Sequence, residues 1–524
     1  RMIRAEINVL PYRGAKSQFS SWICEAIWGH RLERQPVSAL LLEFLSIAEG
    51  LCRKQQLLQH GCEDVVYTPY LCTQLRNILF NNPMIDEIAS GLENDDDAWA
   101  RWLDEMHTSA VANRTDLRNY EYLRKRFESF DSFASIVSLL RRTAMDTHSN
   151  RGWTYRLLYP IGPYAIFDEA TLKPDKSGFS TSRVLFTRTG ELAYLMLSRS
   201  REEVRHRIAQ HLSCAFDPEL PSNRLLRRLL STPQPDTFTE KHGTYLPYKD
   251  HPAFDRMAED VLALFDLGLP SSDVFSHLGP VMALHLLLYQ LETANALVGT
   301  EELPCIVCEI LAPRACLVRR AALASITDNE SLGMQAVRNF VCDQLDGDAE
   351  LHQVLSRTDL DAATKSAVFR DRAKELFNLK NELGTHGVNE QRDELLGIAQ
   401  SSYRDTVGDA VRSLADQCGL RSRQRTVSYR YCPSDDLLRN LVYVRVTRPA
   451  KESDFLQDLY HRYRLVIGPE EARIAGIPEE LFDKAEYERN RERLLLRLMR
   501  MGLARRMSDS FTYVVNPIAE NNGH

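Results

Sequence analysis

Apolar residues recur at three- and four-residue spacing through two long stretches of this chain, and that period constrains the fold more than any other feature. Between residue 17 and about residue 147 it appears in Leu40, Leu41, Phe44, Leu45 and Ala48, and again in Phe133, Ile136, Val137 and Leu140. Between residue 253 and about residue 420 it returns in residues 281–291 and around Val368, Leu376 and Leu383. Such a stripe lines one face only when the backbone is helical, so both stretches are expected to be helical domains. No fixed-period repeat is visible, which argues against a solenoid.

The texture changes twice. After Gly152, residues 153–159, 164–167 and 184–187 place aromatic and β-branched side chains between Pro and Gly, the pattern of short strands. Ser200 and Glu203 have the spacing of a capping box ahead of a helix through His211. Residues 231–252, rich in Pro, Thr and Tyr, suit a linker. Beyond Arg421, residues 426–431 and 441–446 are strand candidates. The expected architecture is therefore mainly α and multi-domain, with a small mixed α/β insertion. It comprises a helical domain (1–147), the insertion (148–235), a second helical domain (236–420) and a module with a strand pair (421–524). A length of 524 residues agrees with about three or four units.

Composition excludes classes rather than naming one. With 44% hydrophobic and 26% charged residues the chain is an ordinary globular protein, neither disordered nor a disulfide scaffold. Its net charge of -7 means that any nucleic-acid surface must be local. The 11 cysteines are scattered and odd in number, which suits reduced thiols and a cytoplasmic location. Residues 1–12 have the pattern of neither a signal h-region nor a transit peptide. Residues 274–291 lack charged side chains but include His277, Pro280, His285 and Gln290, so a buried helix is expected there and no membrane association. The acidic run Glu93, Asp95, Asp96, Asp97, Asp104 and Glu105 surrounds Trp99 and Trp102. It reads as an acidic helix start, with a docking surface for a basic partner as the alternative.

The last hundred residues are the most informative. Three helix-like segments, 452–463, 469–474 and 485–501, are followed by Gly502, a strand pattern at 503–507, the polar turn Ser508-Asp509-Ser510 and a second strand pattern at 511–515. Leu494, Leu495, Leu498 and Met499 give the third segment an apolar face, and Gly502 stops it. This succession of helices and a hairpin resembles a winged-helix domain over about 70 residues, a likeness of fold rather than of family. The resemblance implies a third helix that enters a DNA major groove and a wing that touches phosphate or the minor groove. Residues 489–506 carry Arg489, Arg491, Arg493, Arg497, Arg500, Arg505 and Arg506 against Glu492 alone. Residues 421–448 add Arg421, Arg423, Arg425, Arg430, Arg439, Arg445 and Arg448 against Asp435 and Asp436. Arginine's planar fork suits phosphate, so Arg489, Arg493, Arg497, Arg500, Arg505, Arg506, Arg421, Arg423 and Arg425 are the candidate DNA contacts. The competing reading pairs these arginines with the module's own carboxylates.

Other constellations are weaker. Cys305, Cys308 and Cys316, with His285 or Cys342, could be assembled into a zinc set, yet apolar flanks and the lack of a second Cys pair favour buried thiols. Lys380 and His386, ahead of Gly387, resemble the end of a HEPN ribonuclease helix, where a cation and an imidazole act on RNA. Lys380 stands where that family carries Arg, and a helix C-terminus capped by Gly387 accounts for the same residues. His206 and His211 are five residues apart and share no helix face, so they are expected at the surface. Asp168, Glu169 and Lys173 lack a strand pattern and suit a loop rather than a nuclease site. No phosphate-loop, dinucleotide, zincin or nucleophile-elbow string occurs, and no cofactor is expected.

These features point to a non-catalytic, DNA-associated adaptor of a larger prokaryotic assembly, for instance an antiphage genome-defence system whose motor or nuclease sits in partner subunits. The alternatives are a divergent HEPN-like ribonuclease using Lys380 and His386, and a pure protein scaffold.

Overall fold

The computed structural model describes residues 19–29, 32, 34–60, 73–79, 82, 84–91, 94–109, 119–144, 170–172, 179–181, 189–230, 245–299, 304–312, 316–379, 381–423, 428–507 and 511–522. Helices form where the apolar period predicts them. The N-terminal stretch gives α1 (Phe19–Trp28), α2 (Val37–Arg53), α3 (Asp95–Ser109) and α4 (Phe130–Ala144), with shorter helices between. Asn94 starts α3 by accepting from the Asp97 amide at 3.0 Å, and Asp95, Asp96 and Asp97 fill a first turn that favours negative charge. Asp95 also accepts from the Phe130 amide at 2.6 Å, which ties α3 to α4. Beneath this acidic turn, Trp99 and Trp102 are buried against Tyr120, Phe130 and Phe133. Burying about 200 Å² per indole at about 25 cal/mol/Å² is worth roughly 5 kcal/mol each. The two tryptophans are core, so they form no part of a docking face.

The next stretch departs from its expected caps. β1 (Ala170–Leu172) pairs antiparallel with β2 (Phe179–Thr181). The strand candidates 153–159, 164–167 and 184–187, and the loop with Asp168, Glu169 and Lys173, lie outside the described residues. α5 (Thr189–Ser198) is buried along its whole length and crosses α2 so closely at Gly190 that an added Cβ would fall 2.5 Å from the Leu40 carbonyl oxygen. The capping box before α6 (Glu202–Ala215) does not form. Ser200 instead donates to the Leu197 carbonyl at 2.7 Å, while Arg201 is the N-cap and its amide donates to Asp255 at 2.8 Å. The described end of the linker is held down: Arg199 donates to the Leu246 carbonyl at 2.9 Å, and Tyr248 donates to the Ile27 carbonyl at 3.0 Å.

α7 (Pro252–Phe265) leads into α8 (Ser271–Val298), the axis of the helical body. Helices α2, α7, α9 (Leu317–Asp346) and α12 (Val407–Gln417) pack around α8, which explains why it is apolar on every side. By length and apolarity Asp273–Val298 passes for a membrane span, yet 83% of its apolar window is buried inside the fold. α10 (Ala362–Phe377) and α11 (Val388–Asp405) complete this region. One hydrophobic core extends from Trp22 to Val514.

The C-terminal stretch begins with β4 (Arg421–Ser422), antiparallel to β5 (Arg430–Tyr431). Of residues 441–446, expected as a strand, 441–445 belong instead to α13 (Asp435–Arg445) and Val446 is its C-cap. Ser434 caps that helix by accepting from the Leu437 amide at 3.1 Å, and the buried set Leu437, Leu438, Leu441 and Val442 has helical spacing. The run was apolar enough for either structure, and the cap and burial decided it. β6 (Ala450–Lys451), α14 (Glu452–Tyr463), β7 (Leu465–Val466), α15 (Pro469–Ile474), α16 (Lys484–Arg500), β8 (Ala504–Arg506) and β9 (Thr512–Val514) follow. Gly502 leaves α16 at φ +73°, a conformation that favours glycine. β6, β9 and β8 form one antiparallel sheet in that order. β7 pairs in parallel with β3 (Ile306–Val307), which precedes α9, so this module is stitched to the helical body.

Candidate nucleic-acid interface

Helix α16 positions most of the candidate arginines. Tyr487, Asn490, Leu494 and Leu498 face inward and are buried. Arg489, Arg493, Leu496 and Arg500 lie at spacings of four, three and four, which places them on the opposite, outward side. Arg489 has only Glu486 at 4.0 Å, while Arg493 and Arg500 have no ion pair among the described residues. Leu496, in the same row, is 53% exposed. On the flanks, Arg491 is held by Glu452 at 3.1 Å and by Glu488 at 3.0 Å. Arg497 is committed to Asp435 at 2.5 Å and to the Pro433 carbonyl at 2.8 Å, which joins α16 to the start of α13.

The hairpin splits its pair. Arg505 reaches Glu520 at 2.9 Å, while Arg506 is exposed with no ion pair among the described residues. Phe511 and Met507 are 58% and 53% exposed beside the turn. The Lys451 ammonium stands 5.5 Å from the Phe511 ring centroid. Between the start of α14, α16 and the hairpin runs a cleft of about 630 Å³, walled by Lys451, Leu495, Leu496, Met499, Arg506 and Phe511.

The second basic stretch is mostly spent on structure. Arg421 pairs with Asp416 at 3.0 Å and stacks on Tyr429 at 3.6 Å from the ring centroid, and Arg423 is exposed 5.5 Å from the same ring. Arg425 lies outside the described residues. Arg430 is fully buried and bonded to Glu309, whose other oxygen meets Arg319 at 3.1 Å. Arg439 pairs with Asp436 at 2.6 Å and Arg445 with Asp458 at 2.7 Å, while Arg448 is exposed. The sequence-predicted set therefore divides: Arg489, Arg500 and Arg506 are exposed and Arg493 is half-buried, with only Arg489 in an ion pair among the described residues, whereas Arg497, Arg505 and Arg421 are occupied by carboxylates.

The other candidates come apart. Lys380 lies outside the described residues. His386 is exposed, and Gly387 is the N-cap of α11 rather than the C-cap of α10, its amide donating to Glu390 at 3.2 Å. The local helix dipole thus has the sign opposite to that expected from a helix end. No three His, Cys, Asp or Glu side chains converge as metal ligands among the described residues. Burial pushes the Cys308 thiol well above its usual range, and His285 is engaged by Asp260 at 2.8 Å. His206 is exposed, and His211 stacks on Phe265.

Sequence reasoning missed the polar groups that lock this module in place. Buried Asp260 on α7 accepts from His285 on α8, from Tyr463 on α14, and from Arg462 at 2.7 and 3.0 Å. Burial alone would raise the Asp260 pKa, but His285, Arg462 and Tyr463 outweigh it and hold the carboxyl below its usual range. Burial lowers the His285 pKa. We assign His285 as neutral, with Nε2–H on Asp260, because Nδ1 is buried without a partner. Buried Asn490 donates to the Cys308 and Ile467 carbonyls at 2.9 and 3.0 Å and accepts from the Ile310 amide at 2.8 Å. No periodicity announces such residues, because their partners lie far away in sequence. Comparison with protein families, curated proteins and solved structures finds no match for this chain.

Proposed function

We propose that the chain is a non-catalytic, nucleic-acid-associated adaptor that presents α16 and the β8–β9 hairpin to the phosphate backbone of duplex DNA. The observation that carries this reading is the outward row Arg489, Arg493 and Arg500, in which only Arg489 has an ion pair among the described residues, to Glu486 at 4.0 Å, together with the exposed Arg506 on the hairpin. Buried apolar residues on the far side of α16 fix that row in place. The three-stranded sheet behind α14 and α16 supports the winged-helix resemblance. Membership of a larger prokaryotic assembly, including an antiphage one, belongs to the same proposal, with catalysis assigned to partner subunits.

Charge reversal tests it. Arg493→Glu and Arg500→Glu should each weaken duplex binding, measured by fluorescence anisotropy, while circular dichroism stays unchanged. Equal affinity in wild type and both variants would overturn the reading. Cleavage of RNA that disappears in His386→Ala would instead favour the ribonuclease.

A further inference from the structure

A second site lies away from the arginine row, between α8, α9, α11, α12 and the β4–β5 pair. It is a cavity of about 100 Å³. Its floor is apolar, made by Leu287 and Leu291 of α8, Ile326 of α9, and Val411 and Ala415 of α12. α11 ends at Asp405 and α12 begins at Val407, with Thr406 between them at φ -117° and ψ -89°, so the helical path breaks beside the cavity. Tyr403 is fixed at its edge by a hydrogen bond from Gln290 at 2.9 Å and by the close passage of α9 at Gly333.

The polar lining combines cations and hydroxyls. Arg404, Arg412 and Arg421 come from three different elements. Arg404 donates only to the Met334 sulfur at 3.8 Å, and Arg412 donates to the Arg404 carbonyl at 3.2 Å with Asp409 no nearer than 3.8 Å. Arg421 keeps its Asp416 pair, but its buried Nε has no partner. Beside them, Tyr403 accepts from Gln290 and Tyr431, the cross-strand partner of Arg421, accepts from Asn329 at 3.2 Å, so each hydroxyl retains its proton for donation. Glu330 completes the lining, giving three cations against one carboxylate. An apolar slot with a few convergent polar groups is the usual form of a small-ligand site.

We propose that this cavity binds a small aryl or heteroaryl acid, its ring in the apolar slot and its anionic group on Arg404, Arg412 and Arg421. Size sets an upper limit: a dry cavity of about 150 Å³ accommodates benzene, so this smaller one of about 100 Å³ takes no more than one ring, part of which stays with its charged head at the open side. The site is independent of the nucleic-acid reading.

Isothermal titration with phenyl phosphate tests it, with inorganic phosphate as the comparison. Saturable 1:1 binding of phenyl phosphate is expected, with inorganic phosphate at least about tenfold weaker for want of a ring. Arg404→Ala combined with Arg412→Ala should weaken phenyl phosphate by about tenfold or more, since charge-assisted hydrogen bonds are lost. Val411→Phe, which fills the slot, should abolish binding. If Val411→Phe does not fold, the arginine variant still decides the matter, because its side chains lack close ion pairs. The variant Arg489→Ala/Arg493→Ala/Arg500→Ala should bind phenyl phosphate as the wild type does. No 1:1 binding at millimolar phenyl phosphate, equal binding in the cavity variants, or loss in the α16 variant would each overturn the proposal.

Discussion

Asn490→Leu should release α16 from the strands beneath it, because one buried carboxamide satisfies three backbone groups from two separate strand regions. Leucine has similar volume, so the effect isolates polarity rather than a cavity. The Ile310 amide loses its acceptor at 2.8 Å, and the Cys308 and Ile467 carbonyls lose donors at 2.9 and 3.0 Å. A buried N–H left without a partner costs about 1–3 kcal/mol, and a carbonyl with a second lone pair costs less. The sum is about 3 kcal/mol, which corresponds to roughly a hundredfold change in an opening equilibrium. Native-state hydrogen exchange reads this directly as roughly hundredfold faster exchange of the Ile310 amide, with little change in α3 or α4. Asn490→Asp should be at least as damaging, since it keeps the acceptor but sets a carboxylate against two carbonyls. Unchanged protection of Ile310 in Asn490→Leu would refute the assignment of Asn490 as the lock.

Three further outcomes follow from particular contacts. Burial, with the Arg256 charge adding to it, pushes the His251 pKa down to about 3, and its Nδ1 accepts from the Ala253 amide at 3.1 Å. The unfolded chain then binds the extra proton below pH 6.5, so stability falls as pH drops from about 6.5 toward 3. At pH 5 this amounts to about 2 kcal/mol, and His251→Asn, which keeps a capping side chain, should remove that loss in urea titrations compared at pH 8 and pH 5. Gly190→Ala should cost about 1–3 kcal/mol, seen as a lower melting temperature, because its Cβ meets backbone rather than a movable side chain. Arg497→Ala should lower stability by about 1 kcal/mol through loss of the Asp435 and Pro433 bonds, yet leave the salt dependence of DNA binding unchanged.

Helix positions were legible in the sequence where burial on one face writes a period into it, as in α4 and α16, while α8 was legible as an uncharged apolar run. The hairpin after Gly502 was legible for a similar reason, since a stop signal and a polar turn separate two short apolar runs. Residues 441–446 misled because buried Val442, Val444 and Val446 alternate with half-buried Tyr443 and Arg445, the pattern of a strand, and only the Ser434 cap distinguished helix from strand. The candidate site was half legible. Clustered arginines were visible, but the sequence does not say which of them already have carboxylates: Arg497, Arg505 and Arg421 find Asp435, Glu520 and Asp416 only after folding. The Asp260, His285, Arg462 and Tyr463 group was illegible because its members are separated by as many as 203 residues.

The most direct test of the central claim is the salt dependence of duplex DNA binding, comparing the wild type with Arg489→Ala/Arg493→Ala/Arg500→Ala. Each lost phosphate contact should reduce the slope of log affinity against log salt by about 0.9, so the triple variant should be flatter by about 2.7. A wild type without measurable duplex affinity at low salt, or a triple variant with the wild-type slope, would contradict the account.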